Sequence, residues 1–104
     1  MKKEYDYTEQ QAKEYAKENA KSVEIRSFEK GRNYDTWRKS TKVEAALIER
    51  AIASALIAIK SGYDEDSAKA TAEFFVLHNS GETHINSYGS VYCRVNDFLK
   101  GKVI

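Results

Sequence analysis

No proline occurs in the 104 residues, so no fixed ring obliges a helix to kink or stop. A single cysteine, Cys93, excludes an internal disulfide and makes a reducing, cytoplasmic setting the expectation. The five glycines, at 31, 62, 81, 89 and 101, never cluster, which excludes a Gly-rich phosphate loop. Charge of one sign is missing too: 17 Lys and Arg stand against 16 Asp and Glu, a formal +1. A domain that lives on nucleic acid usually carries a strong basic excess. The uncharged run Ala51 to Ile59 falls well short of the roughly 20 apolar residues that span a bilayer, so no membrane role is expected. Lys2 and Lys3 lead into Glu4 and Asp6 rather than an apolar stretch, and no signal peptide is expected.

What is present is enough for one globular domain, residues 1–104, with its own core. Hydrophobic residues make up 41% and aromatic ones 12%, too many for a disordered chain. The clearest segment is TKVEAALIERAIASALIAIK, from Thr41 to Lys60. Thr41 and Glu44 have the spacing of a capping box, in which each side chain accepts from the other's backbone N–H. Leu47, Ile48, Ala51, Ile52, Ala55, Leu56 and Ile59 recur at three- and four-residue intervals. Ile57 and Ala58 fall off that stripe, leaving Glu49, Arg50 and Ser54 as a thin polar edge. A helix so apolar belongs at the centre of a core. Lys60-Ser61-Gly62 supplies a cationic last turn and a glycine to end it.

Other helices are expected around it. Thr8 and Gln11 can form a second capping box, opening a helix over 8–20 with Ala12, Tyr15, Ala16 and Ala20 on one face. Asp66 or Ser67 can cap a helix over 66–78, with Ala68, Thr71, Ala72, Phe75 and Leu77 inward. Val91, Tyr92, Val95, Phe98 and Leu99 share a face of a helix over 90–100, which Gly101 ends. Val23 to Arg26 alternates like a short strand. The expectation is therefore a mainly α, compact domain in which helix 41–60 is enclosed by helices near 8–20, 66–78 and 90–100. The alternative is an α+β arrangement, with a small sheet from residues 23–28 and an 83–95 hairpin.

No constellation for chemistry emerges. His78, His84 and Cys93 are the only soft metal ligands, and their spacing matches no metal-binding motif. Cys93 between Val91 and Val95 reads as a small apolar residue rather than a nucleophile. Neither metal nor cofactor is expected, and the chain reads as non-enzymatic.

Two surfaces stand out. Residues 26–42, RSFEKGRNYDTWRKSTK, hold six basic residues against Glu29 and Asp35, with Phe28, Tyr34 and Trp37 between them. Trp, Tyr and Arg are enriched at interface hot spots. Arg32, Tyr34, Trp37, Arg38 and Lys39 are the expected contacts to a protein or nucleoprotein partner. A small domain without catalytic residues also suits a phage or mobile-element accessory protein, such as an inhibitor of a host nuclease; that step is analogy from size and composition. The alternative surface is residues 87–96, whose texture is that of a helix-turn-helix recognition helix. Ser87, Tyr88, Ser90, Tyr92 and Arg94 would then face DNA, with Val91 and Val95 inward. The long connection from Asn79 to Ser87 and the acidic Glu82 and Asp97 weigh against it. The sequence sets no oligomeric state and leaves a homodimer open.

Overall fold

A computed structural model describes residues 3–28, 35–79 and 91–104, of which 24–28 and 35–38 are described as backbone. Four helices and one strand pair follow in order: α1 (Glu9–Ala20), β1 (Glu24–Phe28), β2 (Asp35–Lys39), α2 (Lys42–Lys60), α3 (Glu65–Asn79) and α4 (Val91–Leu99). The fold is mainly helical, as the periodicity predicts. No helix among the described residues is long and apolar enough to cross a membrane.

Both capping boxes form. Thr8 Oγ1 accepts from the Gln11 N–H at 3.1 Å while Gln11 reaches back to the Thr8 N–H at 2.9 Å. Thr41 and Glu44 do the same at 3.2 and 2.8 Å, and that exchange keeps Glu44 within the buried set. At the far end of α2, Gly62 adopts φ +105°, a backbone that a β-carbon disfavours. Its N–H reaches the Ile59 carbonyl at 3.0 Å and the Tyr63 N–H reaches Ala58 at 3.1 Å, which closes the last turn. The third helix starts one residue earlier than expected. Its cap is Asp64, whose carboxylate accepts from the Ser67 N–H at 3.0 Å. That bond and the Ser67 side chain hold the Asp64 carboxyl below its ordinary pKa.

α2 is the hub. About 28 Å long at 1.5 Å per residue, it packs against α1, α3 and α4. Ile48, Ala51, Ile52, Ala55, Leu56 and Ile59 are buried in one cluster. From α1, Ala12, Ala16 and Ala20 meet it, small side chains that let two helices approach closely. α4 contributes Val91, Val95, Phe98 and Leu99. Enclosure is incomplete at the N-terminal end, where Val43 is 72% exposed.

Two expectations are corrected. On α3 the buried positions are Ala68, Lys69, Ala72 and Val76, whereas Thr71 and Leu77 are exposed and Phe75 is half-buried. The run Phe74-Phe75-Val76-Leu77 is apolar at every position and so carries no phase; contact with α2 and α4 selects Val76. The hairpin alternative over 83–95 also fails, because Val91 to Leu99 is helical. Residues 83–90 of that segment lie outside the described residues. The strand near 23–28 is present, but its partner is β2, with Arg26 opposite Trp37 and Ser27 opposite Thr36 in antiparallel register.

A short segment before α1 completes the core. Tyr7 is only 1% exposed, and its hydroxyl donates to the Leu56 carbonyl at 2.5 Å. Its ring meets Phe98 edge-on at 4.9 Å. Burial, and secondarily the charge of Glu65, pushes the Tyr7 hydroxyl up to about 12. The strap is held by backbone bonds to the C-terminal segment: Asp6 N–H to Lys102 at 3.0 Å and Ile104 N–H to Glu4 at 2.8 Å.

Candidate functional site

Residues 26–28 and 35–39 of the basic-aromatic segment lie on a two-stranded ribbon. β1 and β2 pair with each other and share no comparable packing with any helix. Among the described residues neither strand has a second neighbouring strand, and an outer strand edge is where a further strand can add. The ribbon enters after buried Val23 and leaves into the capped start of α2. The molecule measures 50 Å along its long axis against 24 and 21 Å across.

Of the five expected contacts, Trp37, Arg38 and Lys39 fall on β2. Trp37 lies opposite Arg26, Arg38 opposite Ile25, and Lys39 opposite Glu24. Lys39 is exposed. Arg32 and Tyr34 lie outside the described residues. Strand alternation puts Glu24, Arg26 and Phe28 with Lys39, Trp37 and Asp35 on one face of the ribbon, and Ile25 and Ser27 with Arg38 and Thr36 on the other.

On α4, Arg94 and Tyr92 both make hydrogen bonds to other elements. Arg94 Nη2 donates to Ser22 Oγ at 3.2 Å, and the Arg94 carbonyl accepts from the Tyr15 hydroxyl at 2.7 Å. The Tyr92 hydroxyl donates to the Asp66 carbonyl at 3.3 Å. Both side chains expected to point outward are thus turned onto the body, while Val91 and Val95 are buried as expected. Ser87, Tyr88 and Ser90 lie outside the described residues.

Between α3 and α4 sits a polar cluster that periodicity did not reveal. Lys69 is 5% exposed; its ammonium donates to Asn96 Oδ1 at 2.7 Å, lies 3.6 Å from Asp66, and sits 5.0 Å from the Tyr92 ring centroid. A buried cation needs such partners, and here they come from both helices. Glu73 lies one turn further along α3. Its Oε1 is buried without a hydrogen-bond partner among the described residues. Burial raises the Glu73 pKa, opposed by the backbone N–H of Tyr92 at the start of α4.

That shift has a signed consequence. A carboxyl whose folded pKa exceeds its unfolded value, here 4.5, binds its proton more readily in the native state. Its contribution is therefore most favourable below pH 4.5 and declines as pH climbs through the raised folded value. Glu73→Gln should be more stabilising, relative to wild type, at pH 7 than at pH 4. Chemical denaturation at the two pH values measures this. An equal effect at both would show that Glu73 ionises in the folded protein as it does in the unfolded chain.

The depressions formed by the described residues include these two. One, about 780 Å³, is open and lined by charges of both signs near the end of α2, including Lys3, Lys60, Asp64 and Glu65. Its groups are already engaged: the Tyr5 hydroxyl donates to Glu65, and Lys3 lies 3.7 Å from the same carboxylate. The other, about 360 Å³, is a trough between α2 and α3. Beside it Tyr63 is 70% exposed and Phe74 61%, Phe74 stacking on His78 at 5.9 Å. Its floor comes from alanines on two helices, a pairing that no single-helix periodicity displays.

Among the described residues no three of His, Cys, Asp and Glu are grouped to hold a metal ion. His84 lies outside the described residues, and Cys93 and His78 are exposed on different helices. No family model matches the chain, and neither a curated protein nor a solved structure does.

Proposed function

We propose that the protein is a non-enzymatic binding module that covers a surface on a protein or nucleoprotein partner through its β1–β2 ribbon. The observation that supports this reading is that, among the described residues, the basic and aromatic positions 26–28 and 35–39 lie on two strands whose backbones pack on each other far more than on any helix. A lone two-stranded hairpin is marginal in water, so a partner that covers it would add stability as well as contact. Strand edges can accept a partner strand, and Trp37 with Arg26 opposite it suits an interface hot spot. Occlusion of this kind fits an accessory or inhibitor protein of the phage or mobile-element class, for example an inhibitor of a host nuclease, by analogy from size and composition.

The test is a triple charge reversal, Arg32→Glu, Arg38→Glu and Lys39→Glu. Partner capture from the native host, measured against wild type, should be lost while the unfolding temperature stays within a few degrees. Retained capture would remove the ribbon from the reading. A duplex titration decides the class of partner. Affinity for generic duplex that falls steeply with salt and vanishes in the triple variant would make nucleic acid the partner.

A further inference from the structure

We propose that the trough between α2 and α3 is a binding site for an amphiphilic carboxylate, an apolar chain or ring with one anionic end. Its volume, about 360 Å³, lies within the range of small-molecule clefts, roughly 300–1,000 Å³, which recur between the helices of bundles. Ala51 and Ala55 of α2 face Ala68 and Ala72 of α3 across it, so the floor is apolar and its depth comes from missing side-chain volume. Phe75 and Tyr63 supply aromatic walls.

Charge decides which end of a ligand belongs where. Among the described residues that line the trough, Arg50 alone is charged, and no carboxylate opposes it. Its guanidinium carbon lies 5.3 Å from the centroid of the Phe75 ring. That cation–π contact favours placing the exposed Arg50 head beside the rim. A planar guanidinium there suits a carboxylate, which it can engage through two parallel hydrogen bonds. Ser54, Ser67 and Thr71 add hydroxyls along the rim. An ammonium ligand would meet only Arg50's repulsion. A neutral alcohol would gain the floor and lose the head.

None of these residues belongs to the β1–β2 ribbon, so this site and the ribbon reading stand or fall separately. The probe is decanoate below its micellar concentration, followed by amide chemical shifts, with decanol and decylamine as comparators. Decanoate should bind saturably and move resonances of residues 50–58 and 67–75. Arg50→Gln should weaken decanoate about tenfold or more, the loss expected of a hydrogen-bonded charge, and leave decanol unchanged. Thr71→Trp, at an exposed position, should fill the trough and abolish binding while circular dichroism stays native. The ribbon charge reversal should leave decanoate binding intact. The proposal is overturned if decanoate fails to saturate, if shifts appear elsewhere, if Arg50→Gln binds it as wild type does, or if an amphipathic helical peptide occupies the trough and decanoate does not displace it.

Discussion

Tyr7→Ala should cost roughly 3–5 kcal/mol, the range for removing a buried aromatic side chain. Three losses combine. The ring leaves a cavity against Phe98, the edge-on aromatic contact disappears, and the hydroxyl no longer reaches the Leu56 carbonyl. In a domain of this size each kcal/mol shifts the unfolding temperature by about 4–8 °C. Thermal unfolding should therefore fall by about 12 °C or more. Tyr7→Phe separates the contributions, because it keeps the ring. Leu56 lies four residues before the end of α2, so its carbonyl is still within reach of the Lys60 N–H in the helical ladder, and this variant should cost only about 1 kcal/mol. If Tyr7→Ala changed stability by less than about 0.5 kcal/mol, as an ordinary surface substitution does, the strap before α1 would not belong to the core.

Ile52→Ala is the second large effect, expected at about 2–5 kcal/mol. Ile52 has no exposed surface and sits near the middle of α2, the helix that packs against the other three. Close-packed neighbours relax little, so the lost methyl groups leave a void. Val43→Ala on the same helix gives the contrast. Val43 is 72% exposed, and its truncation should stay within about 0.5 kcal/mol of neutral. Urea denaturation of both variants checks the pair. Comparable losses at the two positions would mean that α2 is not asymmetrically enclosed.

The parts of this fold legible in the sequence are those whose cause is local. Thr8 with Gln11 and Thr41 with Glu44 place two helix starts within three residues of information each. Gly62 and Gly101, both at positive φ, mark two helix ends. The apolar spacing of α2 and of α4 identifies their buried faces, because in each the polar positions interrupt the stripe. Legibility ends where a cause is distant. Tyr7 is buried by Leu56 and Phe98, and by backbone pairing with residues near 102, none of them neighbours in sequence. Lys69 is buried because Asn96 lies across from it, which a helical wheel counts as an error. β2, Asp-Thr-Trp-Arg-Lys, shows no apolar alternation, and only pairing with β1 makes it a strand. Four successive apolar residues at 74–77 left α3 without a readable phase. The trough escaped for the same reason as Lys69: it exists only once α2 and α3 are side by side. For the ribbon, sequence reasoning located the distinctive segment but not the backbone that displays it.

The clasp between Glu4–Asp6 and Lys102–Ile104 lies beside the last turn of α2, where Lys60 Nζ approaches the Tyr5 carbonyl at 3.5 Å. The ribbon joins the first turn of the same helix. The molecule is therefore polar in the architectural sense, with a mooring end and a reaching end separated by a rod of about 28 Å. A fluorophore attached at exposed Lys100, beside the clasp, would sit at the opposite end of that rod from the ribbon.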